Sequence, residues 1–87
     1  MTTYELSPTN GQKSFYGKAI CVYDEHSDVL SLVSYNTLIL KIDNNQNKIK
    51  RCWDSWSTPT GKHIKSFCNL SKKEFFELPY DVWVDRS

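Results

Sequence analysis

Between Leu32 and Phe67 the chain reads LVSYNTLILKID, a polar turn, and then KIKRCWDSWSTPTGKHIKSF. An apolar stretch, a basic aromatic strand and a helix start stand side by side there. Such elements bury their apolar sides only by laying helix on sheet. Lys48 to Asp54 alternates: Ile49, Arg51 and Trp53 share one side, and Lys48, Lys50 and Cys52 the other. That period of two predicts a half-buried strand. Asp43-Asn44-Asn45-Gln46-Asn47 predicts the turn before it, because Asp and Asn bond their own main chain and tolerate left-handed backbone. Upstream, Phe15 to Tyr23 reads as a strand and Asp24 to Asp28 as a polar hairpin loop. Val29–Ser34 and Asn36–Ile42 read either as two strands or as one long bent strand, since no strong breaker separates them.

Two helices follow. Ser57 or Thr58 can cap the first, Pro59 suits its opening turn, and Asn69 suits its end. Ser71-Lys72-Lys73-Glu74 matches a capping box for the second, which Pro79 ends. The tail YDVWVDRS alternates in a way that suits an added edge strand. Residues 1–13, with Ser, Pro, Asn and Gly clustered at 7–11, read as a flexible N-terminal arm, and residues 14–87 as a single domain. The expected fold is α+β: an antiparallel three- to four-stranded sheet packed by two short C-terminal helices.

With 87 residues there is room for one core, and 14% aromatic content argues that it folds. No apolar run approaches the about 18 residues of a membrane helix, and the N-terminus lacks the basic and apolar regions of a signal peptide. A cytoplasmic location is expected, with Cys21, Cys52 and Cys68 reduced. Charge is unevenly spread. Residues 41–73 carry Lys41, Lys48, Lys50, Arg51, Lys62, Lys65, Lys72 and Lys73 against Asp43 and Asp54, while both flanks are acidic. The basic middle either meets a polyanion or is neutralised by the flanks in the fold.

Lys48, Lys50, Arg51, Trp53, Trp56, Lys62 and Lys65 form a basic cluster with interleaved aromatics, the composition of a nucleic-acid surface. Strand alternation splits that cluster between two faces, and no established RNA- or DNA-binding motif accompanies it. His63 reads as a half-buried helix residue bonded to a hydroxyl such as Ser57 or Thr60, or as a general base or phosphate contact. Asp81 and Asp85 flank Trp83, which either anchors a partner or caps the core from an edge strand. The cysteines and histidines lack metal-ligand spacing, and three isolated glycines make no phosphate loop. No cofactor, metal or catalytic residue is expected.

Four pieces of the chain resemble a family of small proteins of unknown function encoded by phages and integrated mobile elements of Gram-positive bacteria. They are Ser14-Phe15-Tyr16-Gly17-Lys18-Ala19; Ser34-Tyr35-Asn36-Thr37; Trp53-Asp54-Ser55-Trp56-Ser57 with Thr60, His63 and Ile64; and Phe75-Phe76 with Leu78-Pro79. The resemblance implies a phage or mobile-element setting and carries no known activity. The function expected is a non-catalytic protein-binding module, an inhibitor of a bacterial defence complex such as CRISPR–Cas that acts by steric blockade. Its partner would be a host protein or ribonucleoprotein such as a Cas effector, with no membrane contact, and the chain a monomer or weak homodimer. The alternative is a nucleic-acid-binding accessory protein that uses the basic aromatic strand.

Overall fold

A computed structural model describes residues 1–86. Six strands form one antiparallel sheet: β1 (Thr2–Glu5), β2 (Ala19–Asp24), β3 (Val29–Ser34), β4 (Thr37–Asp43), β5 (Lys48–Arg51) and β6 (Trp83–Asp85). They lie in chain order, so each strand pairs with its neighbour in sequence. Helices α1 (Thr58–Cys68) and α2 (Lys72–Glu77) sit between β5 and β6. This corrects the expected sheet of three to four strands with C-terminal helices. The class remains broadly α+β, but the sheet is wider and a strand follows the helices.

Both outermost strands are edges: β6 is the edge strand that the alternation of the tail suited, and β1 is the one not expected. β1 comes from the expected arm and is exposed along its length, so its sequence carries no burial pattern. It exists because β2 offers an unpaired edge, which backbone groups fill whatever the side chains. Leu6 then packs against the core and the Thr9 amide donates to Ser66 Oγ on α1 at 3.0 Å, which ties this segment to the rest. β6 pairs with β5 through Lys48, Ile49 and Lys50.

Tyr35 and Asn36 settle the question of two strands or one. Both have positive φ, 49° and 65°, and Ser34 pairs with Thr37 across them. This is a two-residue turn of type I′, whose twist suits a hairpin. Asn accepts left-handed backbone readily and Tyr does not, so the turn has no strong sequence signature. Near the same end Tyr16 and Gly17 have φ of 54° and 75°, and Lys18 N–H donates to the Phe15 carbonyl at 3.0 Å.

Helix signals in the sequence match the structure. Ser57 caps α1 by accepting from the Thr60 amide, Pro59 lies in its first turn, and Asn69 ends it at φ 60°. Ser71 and Glu74 make both bonds of a capping box. The helices cover one face of the sheet, where Leu32, Ile39, Leu40, Ile42, Ile64 and Phe75 form the centre of the core. Ile39 sits where the β3–β4 register shifts, and the shift lets it and Leu40 both be buried. No helix among the described residues is long and apolar enough to cross a membrane.

Candidate functional site

The alternation of β5 divides the predicted basic cluster as expected, and the two sides meet different fates. Arg51 turns inward and is only 8% exposed. Its Nε donates to the Leu78 carbonyl and an Nη to the Trp53 carbonyl, each at 2.9 Å. Its guanidinium carbon lies 5.3–5.5 Å from the ring centres of Phe75, Phe76 and Tyr80. Trp53 and Trp56 pack against the core, Trp56 with its ring centre 5.5 Å from that of Phe75. These three residues therefore build the interior edge of the domain. Lys62 and Lys65 are exposed on α1, away from β5.

The outer side of the sheet carries a different set. Registers place Thr3, Val22, Ser31, Lys41, Lys50 and Trp83 in one row across all six strands. A second row runs Glu5, Ile20, Val33, Leu38, and a third Asp24, Val29, Asp43, Lys48, Asp85. Ile20, Val22, Val33 and Leu38 are half-buried, yet none belongs to the core that the helices cover. Trp83 does not cap the core. It lies on this outer face with Lys50 Nζ 5.5 Å from its ring centre, while Val84 turns inward. Lys50 pairs with Asp81 at 3.5 Å and Lys48 with Asp85 at 3.9 Å. Lys41 has no ion pair among the described residues and, with Val22, Ser31 and Trp83, lines a shallow cavity of about 160 Å³.

A second cavity, of about 260 Å³, opens where the Phe15–Lys18 turn, the Tyr35-Asn36 turn and the first turn of α1 converge. His63 forms part of its wall and is 3% exposed. His63 Nδ1 shares a 2.7 Å hydrogen bond with Ser34 Oγ, which in turn lies 2.9 Å from Thr60 Oγ1. The hydroxyl expected to hold the ring thus comes chiefly from β3, with Thr60 behind it. Phe15 meets the imidazole edge-on at 4.5 Å and Tyr35 stacks on it at 5.6 Å. Lys18 lies over the other aromatic participant, with Nζ 5.6 Å from the Tyr35 ring centre.

Three of the quoted sequence pieces contribute to this cavity, the first through Phe15, Tyr16 and Lys18, the second through Tyr35 and the third through His63. The family profile of a family of unknown function, DUF8033, matches residues 4–84. The chain belongs to that family. The His63 cavity lies wholly inside the matched residues, and so does the outer sheet face apart from Thr3 and Asp85 at its two edges. No curated protein and no solved structure matches the chain.

Tyr16, Lys18, Tyr35 and Lys41 were absent from the expected binding set. Lys41 had a faint signal, as a lone cation in an apolar strand. The tyrosines had none, because their importance follows from turns that bring distant segments together. The thiols stand apart: His63 pairs with Ser34 rather than with a cysteine, and burial pushes the Cys68 thiol up to about 11. Burial likewise raises the thiols of Cys21 and Cys52. A thiol held high stays protonated at neutral pH and is a poor nucleophile. Among the described residues no group of three or more His, Cys, Asp or Glu converges as a metal cage does.

Burial also lowers the pKa of His63. In the unfolded chain the imidazole titrates near its ordinary value of about 6.5, so the unfolded state binds the proton first as pH falls. Stability is therefore expected to be full above about pH 7 and to decline as pH drops through the unfolded value, levelling off once the folded state also takes up the proton. Thermal melts between about pH 5 and 7 isolate this effect, because carboxylates titrate lower. Asp24 and Glu74 are held lower still, chiefly by the backbone N–H groups of His26 and Ser71. A His63→Gln variant whose Tm falls just as much over that range would show that another group is responsible.

Proposed function

We propose that this chain is a non-catalytic protein-binding module that docks a protein partner on the outer face of its sheet. The observation that carries the reading is the half-buried patch of Ile20, Val22, Val33 and Leu38 with Trp83, which the helices leave uncovered. Apolar patches of this kind, with an aromatic among them and charges at the rim, suit protein contact. The charges favour a protein over a polyanion. In the three rows Lys41, Lys48 and Lys50 stand against Glu5, Asp24, Asp43 and Asp85, and Lys48 and Lys50 are already paired with carboxylates. Nucleic-acid affinity rests on cations free to displace counterions, and this face has an excess of carboxylates. The phage or mobile-element setting that the resemblance implies makes a bacterial defence complex, such as a CRISPR–Cas effector, the first partner to test. Inhibition would then be steric, in the host cytoplasm.

Capture from bacterial lysate, with and without nuclease, tests this when face variants are run beside the parent chain. A nuclease-resistant partner is expected. Lys41→Glu and Trp83→Ala should each weaken its capture roughly tenfold, about 1.4 kcal/mol. Lys73→Gln on α2 should leave it unchanged. Nuclease-sensitive capture, or full capture by both face variants, overturns the reading.

A further inference from the structure

The cavity beside His63 is a second feature of the molecule, independent of the outer sheet face. Among its lining residues are Tyr16, Lys18, Tyr35, Lys62 and His63, and no carboxylate. Other cavities carry Glu74 and Glu77, Asp24, or Glu5 at their walls. The cavity is thus locally cationic on a chain whose net charge is only +1. Neither lysine has an ion pair among the described residues.

The wall is built rather than incidental. Every buried side-chain nitrogen or oxygen among the described residues has a hydrogen-bond partner. His63 Nε2 has no hydrogen-bond partner among the described residues, and His63 lines the cavity. Ser34, with Thr60 behind it, fixes the ring by its other nitrogen, and the Phe15 edge and the Tyr35 face hold its plane. One hydrogen-bonding atom is therefore held in a set direction at the cavity wall. Beside it stand two aromatic side chains that remain 73% and 50% exposed, Tyr16 and Tyr35. Both occupy left-handed backbone, which costs a non-glycine residue roughly 1 kcal/mol. Bulky residues tolerate that cost where the surrounding structure holds them.

Exposed rings, two free ammonium groups and a fixed hydrogen-bonding edge match a ligand with a flat heterocycle and a phosphate. We propose that this cavity binds one nucleoside monophosphate unit. Its base would stack on the tyrosines, its edge would meet His63 Nε2, and its phosphate would lie between Lys18 and Lys62. At about 260 Å³ the space falls just under the ~300–1,000 Å³ of sites for drug-sized ligands, a size that suits one nucleotide. Lys18 now rests over the Tyr35 ring. A phosphate is a stronger partner for an ammonium than a ring face is, so it draws Nζ away and frees the ring for the base.

Titration of the intact protein with adenosine 5′-monophosphate, followed by amide and imidazole resonances, tests the site. Saturable shifts are expected at Lys18, Tyr35, Lys62 and the His63 ring. Adenosine and inorganic phosphate, each lacking half of the ligand, should bind at least roughly tenfold more weakly. Lys18→Gln with Lys62→Gln, both exposed positions, should lower affinity by a similar factor and leave Tm unchanged. Trp83→Ala on the outer face should bind the nucleotide like the parent, which separates this site from the docking face. A 5′-phosphorylated tetranucleotide in place of the free nucleotide assigns the source: tighter binding points to a strand end, weaker binding to a free nucleotide. Absence of saturable shifts, binding of phosphate alone as tightly as the nucleotide, or unchanged affinity in the double lysine variant overturns the proposal.

Discussion

Replacing Arg51 with alanine is expected to cost about 3 kcal/mol of stability, more than half the total of a marginal domain of this size. The guanidinium is the link between sheet and α2. It donates to the carbonyl of Leu78, which ends α2, and to the carbonyl of Trp53, which leaves β5. No carboxylate pairs with it among the described residues; two carbonyl dipoles and the faces of Phe75, Phe76 and Tyr80 compensate its charge instead. Truncation removes charge-assisted hydrogen bonds from part-buried carbonyls and opens space under three rings. Each kcal/mol moves Tm by about 4–8 °C in a domain of this length, so the variant should melt well over 10 °C below the parent. Arg51→Lys keeps the charge but not the planar fork, and should recover only part of the loss. A change in Tm below about 4 °C for Arg51→Ala would mean that the link contributes under 1 kcal/mol. The same result bears on binding experiments: charge reversal across Lys48, Lys50 and Arg51 together would report unfolding, so Arg51 must be left out of any surface scan.

Gly61→Ala should destabilise the chain by about 1–3 kcal/mol, the range for overpacking a filled site. Helix propensity alone predicts the opposite, since alanine in a helix interior is favoured over glycine by roughly 1 kcal/mol. Gly61 has an ordinary helical backbone, so conformation does not require glycine there. Contact does. A Cβ at Gly61 would lie 2.5 Å from Cζ2 and 2.9 Å from Cε2 of the Trp56 indole. The indole is held beside the helix by Phe75 and Phe76, whose ring centres lie 5.5 and 6.3 Å from its own. Denaturation of the double variant decides the cause. With Trp56→Ala in place, Gly61→Ala should become neutral or stabilising, by about 1 kcal/mol at most. If it destabilises equally in both backgrounds, the clash with Trp56 is not the reason for the glycine.

Fold and site were legible to different depths. Helix boundaries came through because capping chemistry is local: Ser57, Asn69, and the Ser71–Glu74 pair each act within a few residues. The alternation expected from Lys48 to Asp54 holds over Lys48 to Arg51, where β5 ends, since pleating alone sends neighbours to opposite faces. The width of the sheet was not legible. β1 is a strand only because an edge stood open beside it, and backbone pairing leaves no mark on an exposed tetrapeptide. The sequence left two strands or one long bent strand open at Tyr35-Asn36, because a tyrosine in left-handed backbone is held by its surroundings and not by its own preference.

Composition and local chemistry thus determined the broad α+β class, the two helices, and the separation of Lys48 and Lys50 from Arg51. Only the tertiary structure decided what each side of that separation meets. Arg51, Trp53 and Trp56 entered the interior because α2 folds back over β5. Lys41, Lys50 and Trp83, from three strands, came into one row through pairing register. The His63 cavity joined turns at residues 15–18 and 34–37 to a helix start near residue 58, positions whose nearness is set by how the sheet and α1 pack. Spacing along a chain records local geometry, whereas a surface is assembled by contacts between segments far apart in sequence, and those contacts are decided by the packing of the whole core.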